Sequence, residues 1–573
     1  MTWDLSALYH NEKAVEVDLQ EARTRAKSFQ SVCKSKLKTL HVNEFMESIR
    51  EYESINEMLG RIMTYAFLTF ATDADKGGFY AKYQNEYTKI AEDLLFFELE
   101  FNTLPKAKQE EFIASTSRYR YYLESLMEEK PYQLSQKEER ILLKKDLTSS
   151  SAFSRLFDEH FSRMKFAFEG KKISEEEILS KLQDPSREVR KGAAKAFTKG
   201  LKPHQPLLAY IFNMIKTDLA SDCELRGYKN AEQPRHIHNR ISQKSVDALI
   251  KSAESNLHLV QEYYVLKAKL LGLDELFEYD RYAPLPSSKA VYDFEMSKEI
   301  VLGAFAQFNP KFYDIAKRAF DEKWIDVLPK DKKRGGAFSH PATPSTHPFV
   351  LLNHTNTRRD LFTLAHELGH AIHQYLSRDV GYLGSDTPLT TSETASVFAE
   401  MLVFDTIKEG LSLEEKRSLY ASKIEDIFST LYRQINFTTF ERLVHKYEGE
   451  LSVEAFNDYW MQESKKMFGK SITLSPDYKL WWSYIPHFIH SPFYCYAYSY
   501  GQLLVLALYG LYKKSDKALF VKNYTTFLAA GGSQSPKALI EKFGFNIEDE
   551  DFWKLGIAEV ELLLSEFKGM CHD

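Results

Sequence analysis

Hydrophobic residues recur every three or four positions over long stretches of the chain, which is the pattern of amphipathic helices. The longest example runs from residue 12 to about residue 145 and is rich in Glu, Lys, Leu and Ala with few prolines. We therefore expect a stack of helices there. The most apolar stretch, residues 500–512, is interrupted by Gln502. It is shorter than the roughly 20 residues that cross a bilayer, so it predicts a buried helix.

A turn-rich region interrupts this pattern after residue 145. Residues 164–173 alternate between apolar and polar around Gly170-Lys171-Lys172, as a hairpin would. A new helix is expected near Asp184-Pro185, because Asp is a good helix cap and Pro a good first helical residue. We place the domain boundary here. The expected division is an N-terminal helical domain, 1–183, and a catalytic domain, 184–573.

Residues 329–353 differ again, being punctuated by four prolines and the pair Gly335-Gly336 before the apolar run 349–352. This composition predicts a small β-sheet. Directly afterwards, Thr357 and Asp360 have the spacing of a capping box and are expected to open a helix. The predicted fold class is therefore mainly α, with a small sheet beside one central helix.

Composition narrows the function classes. A chain of 573 residues exceeds the size at which one core keeps growing, so two or more subdomains are expected. Its 75 basic and 81 acidic residues form no long single-sign block, which argues against a nucleic-acid partner. The four cysteines are far apart and include no C-x-x-C pair. With acidic residues where a secretory signal needs a basic start, we expect a cytoplasmic protein without membrane contact.

The candidate chemistry lies in the run His366-Glu367-Leu368-Gly369-His370. On a helix, residues four apart share a face, so His366 and His370 can reach one ion from about 2.0 to 2.1 Å. Glu367 can reach a metal-bound water and act as general base. A chance match is the alternative, but the run lies in a strongly apolar helical frame. We expect one zinc ion per chain.

A third ligand is needed, because hydrolytic zinc sites keep three protein ligands and one open position. Glu393 is the best candidate, since 22 intervening residues allow the motif helix to end and the chain to return. Glu400 shares its helical face and could orient a ligand histidine. Two alternatives stay open: Glu393 closes a capping box with Thr390, or His373 is the ligand instead.

These segments resemble the thimet oligopeptidase-like family of zinc metallopeptidases, and most closely its bacterial oligoendopeptidase F branch. The specific matches are residues 361–373 and 392–396; weaker ones lie at 3–6, 154–159, 187–191, 324–327, 334–339 and after 485–488. The resemblance implies His366, His370 and Glu393 as zinc ligands and Glu367 as the base. It also implies a two-lobed helical ellipsoid with a deep substrate channel, in which the gluzincin-type helix carries the metal.

The resemblance further implies that residues 335–339 lie along the substrate as an edge strand, with Gly335, Gly336, Ala337 and Phe338 as substrate-binding residues. An extended peptide can add to a sheet edge through main-chain hydrogen bonds. A simple turn is the alternative role for the two glycines.

The run 487–500 contains two histidines and four tyrosines. Most of them are expected in the core, but a zinc peptidase also needs donors for the oxyanion of the tetrahedral intermediate. Family members place a His and tyrosines in this stretch for that purpose. We expect His487 and Tyr496, then Tyr494, as these donors, and His490 remains an alternative.

The expected function is that of a zinc metallo-endopeptidase that hydrolyses internal bonds of short unstructured oligopeptides by attack of zinc-bound water. Its expected partners are oligopeptide substrates, and the chain is expected to be a monomer or weak homo-oligomer. One alternative is a carboxydipeptidase of the same fold, for which no cationic group is evident in the sequence. An inactive helical peptide-binding protein is the other, and the intact Glu367 argues against it.

Overall fold

Amphipathic segments form helices throughout the chain, as their apolar spacing predicts. The computed structural model describes residues 1–285 and 290–571. The helices of the first half are α1 (Glu12–Cys33), α2 (Val42–Thr72), α3 (Gly77–Leu94), α4 (Phe96–Thr103), α5 (Lys106–Ala114), α6 (Arg120–Glu129), α7 (Gln136–Asp146), α8 (Ser150–Arg163), α9 (Glu175–Ser180), α10 (Arg187–Leu201), α11 (Gln205–Arg226), α12 (Gln233–His238), α13 (Gln243–Glu254) and α14 (His258–Leu270).

The second half of the chain continues in the same way. Its helices are α15 (Phe294–Phe308), α16 (Pro310–Asp321), α17 (Arg358–Leu376), α18 (Tyr382–Ser385), α19 (Leu389–Ser392), α20 (Thr394–Lys408), α21 (Leu413–Thr430), α22 (Tyr432–Lys446), α23 (Val453–Phe468), α24 (His487–His490), α25 (Tyr496–Lys514), α26 (Lys517–Ala529), α27 (Pro536–Glu541) and α28 (Glu550–Cys571). The mainly α fold class is thereby confirmed. Among the described residues, no helix is long and apolar enough to cross a bilayer.

Two small sheets accompany the helices. Strands β1 (Phe166–Phe168) and β2 (Lys171–Ile173) form the expected antiparallel hairpin. Strands β3 (Ile325–Asp326), β4 (Phe338–His340) and β5 (Phe349–Leu351) form the expected small sheet in the order β3-β5-β4. Strand β3 is parallel to β5 and β4 is antiparallel to it. Strand β4 is therefore an edge strand within this sheet.

Two local predictions need correction. The hairpin turns at Glu169 and Gly170, which have φ values of 48° and 76°, while the two lysines belong to β2. Helix α10 begins at Arg187 after Ser186, because the carboxylate of Asp184 accepts from the Ser186 backbone N–H instead of starting the helix itself.

The described chain forms two units, each built from three chain segments. Unit 1 consists of Met1–Lys130, Lys289–Gly410 and Leu511–Phe545, and unit 2 of Pro131–Ser288, Leu411–Gly510 and Asn546–Asp573. This division differs from the expected one at 183/184. Local periodicity identifies the helices, but which remote segments pack together depends on tertiary contacts.

Each unit has its own apolar core. In unit 1, helices α1 to α6 pack aromatic rings such as Phe45 and Phe97 against one another. The same core takes up Phe349 and Leu351 of β5, which fixes the small sheet to the helices. In unit 2, Phe212 and Trp482 belong to a second cluster of buried aromatic residues.

Candidate metal centre

Helix α17 starts with the capping box that its sequence predicts. The Asp360 backbone N–H donates to Thr357 Oγ1 over 3.2 Å, and Asp360 Oδ2 accepts from the Thr357 backbone N–H over 2.9 Å. Leu361, Leu364 and Leu368 are fully buried along the helix. Their burial holds one face of α17 in the core of unit 1 and leaves the histidine pair on another.

Gly369 brings the backbones of α17 and α20 into direct contact. A Cβ at this position would lie 2.6 Å from the carbonyl oxygen of Ala395 and from Cα of Ser396. No side chain fits there without moving one of the helices. The close approach places Glu393 and Glu400 beside the histidines of α17.

The three predicted ligands meet at one point. His366 Nε2 lies 3.2 Å from His370 Nε2. Glu393 Oε2 lies 3.4 Å from the first of these nitrogens and 3.5 Å from the second. Within residues 1–285 and 290–571, this is the one group of three or more His, Cys, Asp or Glu side chains arranged to hold a metal ion. His373 is not part of the group.

Neighbouring side chains fix the orientation of two of the ligands. His366 Nδ1 lies 2.6 Å from Glu400 Oε1, and Ser396 Oγ donates to Glu393 Oε2 over 2.8 Å. Glu393 precedes α20 but makes no side-chain capping bond. Thr390 lies inside α19, so the alternative capping box does not form.

The electrostatics of the cluster favour a cation. Burial disfavours the charged form of His366, but the hydrogen bond to Glu400 and the neighbouring carboxylates raise its pKa to about 9. Burial lowers the pKa of His370 to about 4. Burial, opposed by the charge of His366 and reinforced by the two other glutamates, raises the pKa of Glu367 to about 7. The positive charge of His366 is thus stabilised by three carboxyl groups, those of Glu400, Glu393 and Glu367.

Strand β4 lies against α17 at Ser339. Its hydroxyl donates to Gln374 Oε1 over 2.7 Å, and Gln374 Nε2 donates to the Ser339 carbonyl over 3.1 Å. A hydrogen bond from the Ser339 backbone N–H favours the charged form of Glu367. The main chain of Ser339 is therefore engaged by the motif helix.

The four residues before Ser339 have different surroundings. Gly335 and Gly336 form a bend, held by a 2.8 Å hydrogen bond from Asn353 Nδ2 to the Gly336 carbonyl. The ring of Phe338 packs on Phe67 at 5.5 Å between ring centroids. Ala337 immediately precedes β4, and continuing the alternation of the strand by one residue would turn its peptide groups to the same side as those of Ser339.

The predicted oxyanion donors belong to unit 2, and Tyr496 lies in its interior. Its hydroxyl lies 2.9 Å from His236 Nδ1 and accepts a 2.9 Å hydrogen bond from Asn239 Nδ2. The side chain is fully buried, and burial raises its pKa well above 10. His490 Nε2 lies 2.8 Å from Asp158 Oδ1 at the surface of the unit.

His487 and Tyr494 instead meet each other and Tyr498. Their rings stack at 6.2 Å, and Tyr494 contacts Tyr498 edge-on at 5.0 Å. His487 Nε2 lies 3.4 Å from the Tyr498 hydroxyl. All three side chains are partly exposed. The sequence prediction did not include Tyr498, although its spacing of four from Tyr494 is a helical signal that they share a face.

A mainly helical chain that joins two histidines and a glutamate around a buried carboxyl has the construction of a metallopeptidase. The family model described as Peptidase family M3 matches residues 180–559, and a model described as Oligopeptidase F matches residues 100–166. The chain belongs to peptidase family M3. It is a metallopeptidase, a hydrolase whose substrates are peptides.

Curated relatives support this assignment over most of their length. Oligopeptidase PepF of Bacillus subtilis is 30% identical over 95% of this chain and 83% of its own. An oligoendopeptidase F homolog of Lactococcus lactis is 28% identical over 99% and 97% of the two chains.

Solved structures share the fold. A structure from Chlamydophila abortus superposes with a TM-score of 0.89 at 24% identity, covering 99% of this chain and 98% of that one. Oligoendopeptidase-F from Enterococcus faecium gives a TM-score of 0.71 at 21% identity, with 97% of each chain covered.

Proposed function

We propose that the chain is a zinc-dependent oligoendopeptidase in which His366, His370 and Glu393 hold one zinc ion and Glu367 is the general base. The spacing of the three ligand atoms, 3.2 to 3.5 Å, carries the proposal. Zinc lies about 2.0 to 2.1 Å from such ligands, so two of them at a tetrahedral angle stand about 3.3 to 3.4 Å apart. The donor set fits that geometry.

When bound, zinc would supply a Lewis acid that polarises the scissile carbonyl and makes a water molecule more acidic. The carboxylate of Glu367 accepts the proton of the attacking water and returns it to the leaving amine. Burial supports both steps, because a pKa of about 7 lets one group hold and release a proton near neutrality.

Glu400 and Ser396 act as positioning residues. Glu400 accepts from Nδ1–H of His366, which selects the tautomer whose Nε2 lone pair faces the other two ligand atoms. Ser396 holds the Glu393 carboxylate in the same way. Neither residue needs to contact the peptide.

For the substrate, we propose main-chain recognition by the segment Gly335 to Phe338. Ala337 is the best-placed residue, since the next outward-facing peptide groups, those of Ser339, are engaged by α17. Main-chain hydrogen bonds do not depend on side-chain identity, which suits an enzyme for short unstructured peptides. Phe338 would contribute by anchoring the segment.

We further propose His487, Tyr494 and Tyr498 as the donors that stabilise the oxyanion. They are partly exposed and share one cluster. Tyr496 could take this role only if its bonds to His236 and Asn239 were broken. A donor whose hydrogen bond strengthens as charge develops contributes most to catalysis.

The metal assignment can be tested by metal content as well as by activity. After dialysis, Glu393→Ala should lose bound zinc, measured by plasma mass spectrometry, while His373→Ala retains it. The reverse ranking would make His373 the third ligand. In the wild type, cleavage of a quenched peptide should stop with a chelator and return with added zinc.

A carboxydipeptidase of the same fold remains the second candidate, and mass spectrometry of products separates the two. Internal cleavage at varied distances from the C-terminus supports the endopeptidase, whereas release of dipeptides alone supports the alternative. We also propose a monomer or weak homo-oligomer in a reducing, cytoplasmic compartment, in keeping with four unpaired cysteines, three of them buried.

A further inference from the structure

Unit 2 contains two neighbouring arginines, Arg281 and Arg433, whose positive charges are not matched by carboxylates of their own in the described part of the chain. The Arg281 side chain belongs to a residue that is only 4% exposed. The Nε atoms of Arg281 and Arg433 are both buried, and neither has a hydrogen-bond partner among the residues that the structure describes. Over the same residues, no carboxylate lies at ion-pair distance from either guanidinium. A buried charge without a counter-charge is costly.

Two phenols hold the guanidinium groups in place. Tyr282 Oη accepts from Arg281 Nη2 over 2.9 Å and from Arg433 Nη1 over 2.5 Å. Tyr484 Oη accepts from Arg433 Nη2 over 3.0 Å. In each case the phenol oxygen is an acceptor, so its own O–H can still be donated to a further group. Within the described chain, the guanidinium N–H groups therefore have only phenol oxygens as acceptors, and no carboxylate lies among them.

Nearby carboxylates are already used. Glu425 Oε1 accepts from Lys267 Nζ over 2.5 Å, and Asp280 binds Arg187 and Arg190, each over 2.9 Å. Glu278, a buried carboxyl whose pKa burial raises while the charge of Arg281 lowers it, accepts from the backbone N–H and hydroxyl of Ser475. Lys267, Arg187 and Arg190 together with Arg281 and Arg433 make five basic side chains against three carboxyl groups, a surplus of two.

The cluster is open at one end. Arg281 is buried, whereas Arg433, Tyr282 and Tyr484 are partly exposed. Burial lowers the pKa of His487 and the charge of Arg433 lowers it further, so this end lies near the proposed donor His487.

We propose that Arg433, Tyr282 and Tyr484, backed by Arg281, form a carboxylate-binding site that takes the free C-terminus of a peptide substrate. A planar guanidinium with two flanking hydroxyl donors matches the two oxygens of a carboxylate. The inference rests on the proposed function for its ligand. A small inorganic anion such as chloride shares this chemistry and is the alternative source.

Binding tests the site without requiring turnover. In the Glu367→Gln variant, calorimetry should show an N-acetylated tripeptide acid binding about 10- to 100-fold more tightly than the same peptide as its amide, because charge-assisted bonds are lost with the amide. Adding Arg433→Gln should remove this preference, because it weakens binding of the acid far more than binding of the amide. Adding Tyr484→Phe should reduce the preference in part, which keeps the test open if the arginine variant does not fold.

Tyr432→Phe is the matched control. It removes the buried hydroxyl of the residue that precedes Arg433 in the chain, which has no hydrogen-bond partner among the described residues, so it should leave the preference intact. Equal binding of acid and amide, with no effect of chloride, would overturn the inference. Equal binding with a chloride-dependent rise in melting temperature that Arg433→Gln abolishes would assign the site to an inorganic anion instead.

The same two peptides separate this inference from the proposed function. If the wild type cleaves neither these peptides nor a longer quenched peptide while the acid still binds more tightly, the carboxylate site stands and the proposed zinc-dependent endopeptidase mechanism fails. If both are cleaved at the same rate and bound equally, the peptidase proposal stands and the carboxylate site fails.

Discussion

The candidate metal centre of unit 1 and the arginine and tyrosine cluster of unit 2 carry opposite charges and are assembled differently. In unit 1, His366 and His370 lie one turn apart on a single helix, and three glutamates favour a cation between them. In unit 2, surplus arginines favour an anion, and Arg433 and Tyr282 come together from positions 151 residues apart. The histidine pair follows from the period of one helix, whereas the arginine and tyrosine cluster depends entirely on the tertiary fold.

The two kinds of site therefore differ in how well the sequence alone predicts them. A ligand pair at a spacing of four is already aligned once the helix forms. A donor set drawn from remote segments depends on which residues the core takes up, and the variants below test each kind of construction.

The largest expected effect is that of Glu367→Gln. The amide cannot accept the proton of the attacking water, so kcat should fall about 10²- to 10⁴-fold. Zinc content should be retained, because this side chain is not one of the three ligands. Stopped or continuous cleavage assays of a quenched peptide measure the loss, and an unchanged rate would remove Glu367 as the base.

Tyr498→Phe should come next, with kcat about 10²-fold lower, as for the loss of one oxyanion donor. Tyr496→Phe should instead cost about 1 to 3 kcal/mol of stability, because it removes the buried hydrogen bonds that the Tyr496 hydroxyl makes with His236 Nδ1 and Asn239 Nδ2. Kinetics and urea denaturation of both variants compare the two. If Tyr496→Phe loses activity without losing stability, the donor predicted from the sequence is restored.

Glu400→Ala should weaken zinc binding about 10- to 100-fold, since it removes the group that orients His366. Glu400→Gln keeps an acceptor oxygen and should fall between that variant and the wild type. Competition with a chromogenic chelator measures the affinity. Glu409→Ala, at the exposed end of the same helix, is the control, and equal affinity in all variants would leave Glu400 without a positioning role.

Local signals were sufficient for much of the fold and for the three candidate ligands that the structure brings together. Thr357 and Asp360 marked the start of the motif helix, and the spacing of four placed His366 and His370 on one of its faces. Register and long-range packing were less accessible. The hairpin turn falls at Glu169 and Gly170 because both adopt positive φ, which alternation alone does not determine.

The aromatic run shows the same limit for function. The sequence identified a stretch dense in tyrosine, but Tyr496 is taken into the interior by His236 and Asn239, some 260 positions away in the sequence. The sequence shows that Tyr496 alternates with Tyr494 and Tyr498. It does not show that His236 and Asn239 are the hydrogen-bond partners of Tyr496. The three-segment construction of each unit was hidden for the same reason.

The last prediction concerns stability alone and involves Glu441 of unit 2, which supports the turn before Tyr494. Its Oε1 accepts from the backbone N–H of Phe493, a residue with φ of 57°. Burial raises the pKa of Glu441 to about 8 from an ordinary value of 4.5; the Phe493 bond and Arg235 oppose the shift, and Glu232 adds to it. Between these values the folded state holds a proton that the unfolded state releases, so this residue's contribution to stability falls as pH rises.

Glu441→Gln mimics the protonated side chain and keeps the acceptor for Phe493. The free energy of unfolding of the wild type should fall with pH by up to about 1.4 kcal/mol per pH unit between about pH 4.5 and 8 because of Glu441. Glu441→Gln should remove this dependence, and it should raise stability most at the alkaline end. Urea denaturation at several pH values measures this. Exposed Glu448→Gln controls for the loss of one negative charge. A slope that persists in Glu441→Gln would mean that Glu441 is charged in the folded state and that the turn is held by a carboxylate.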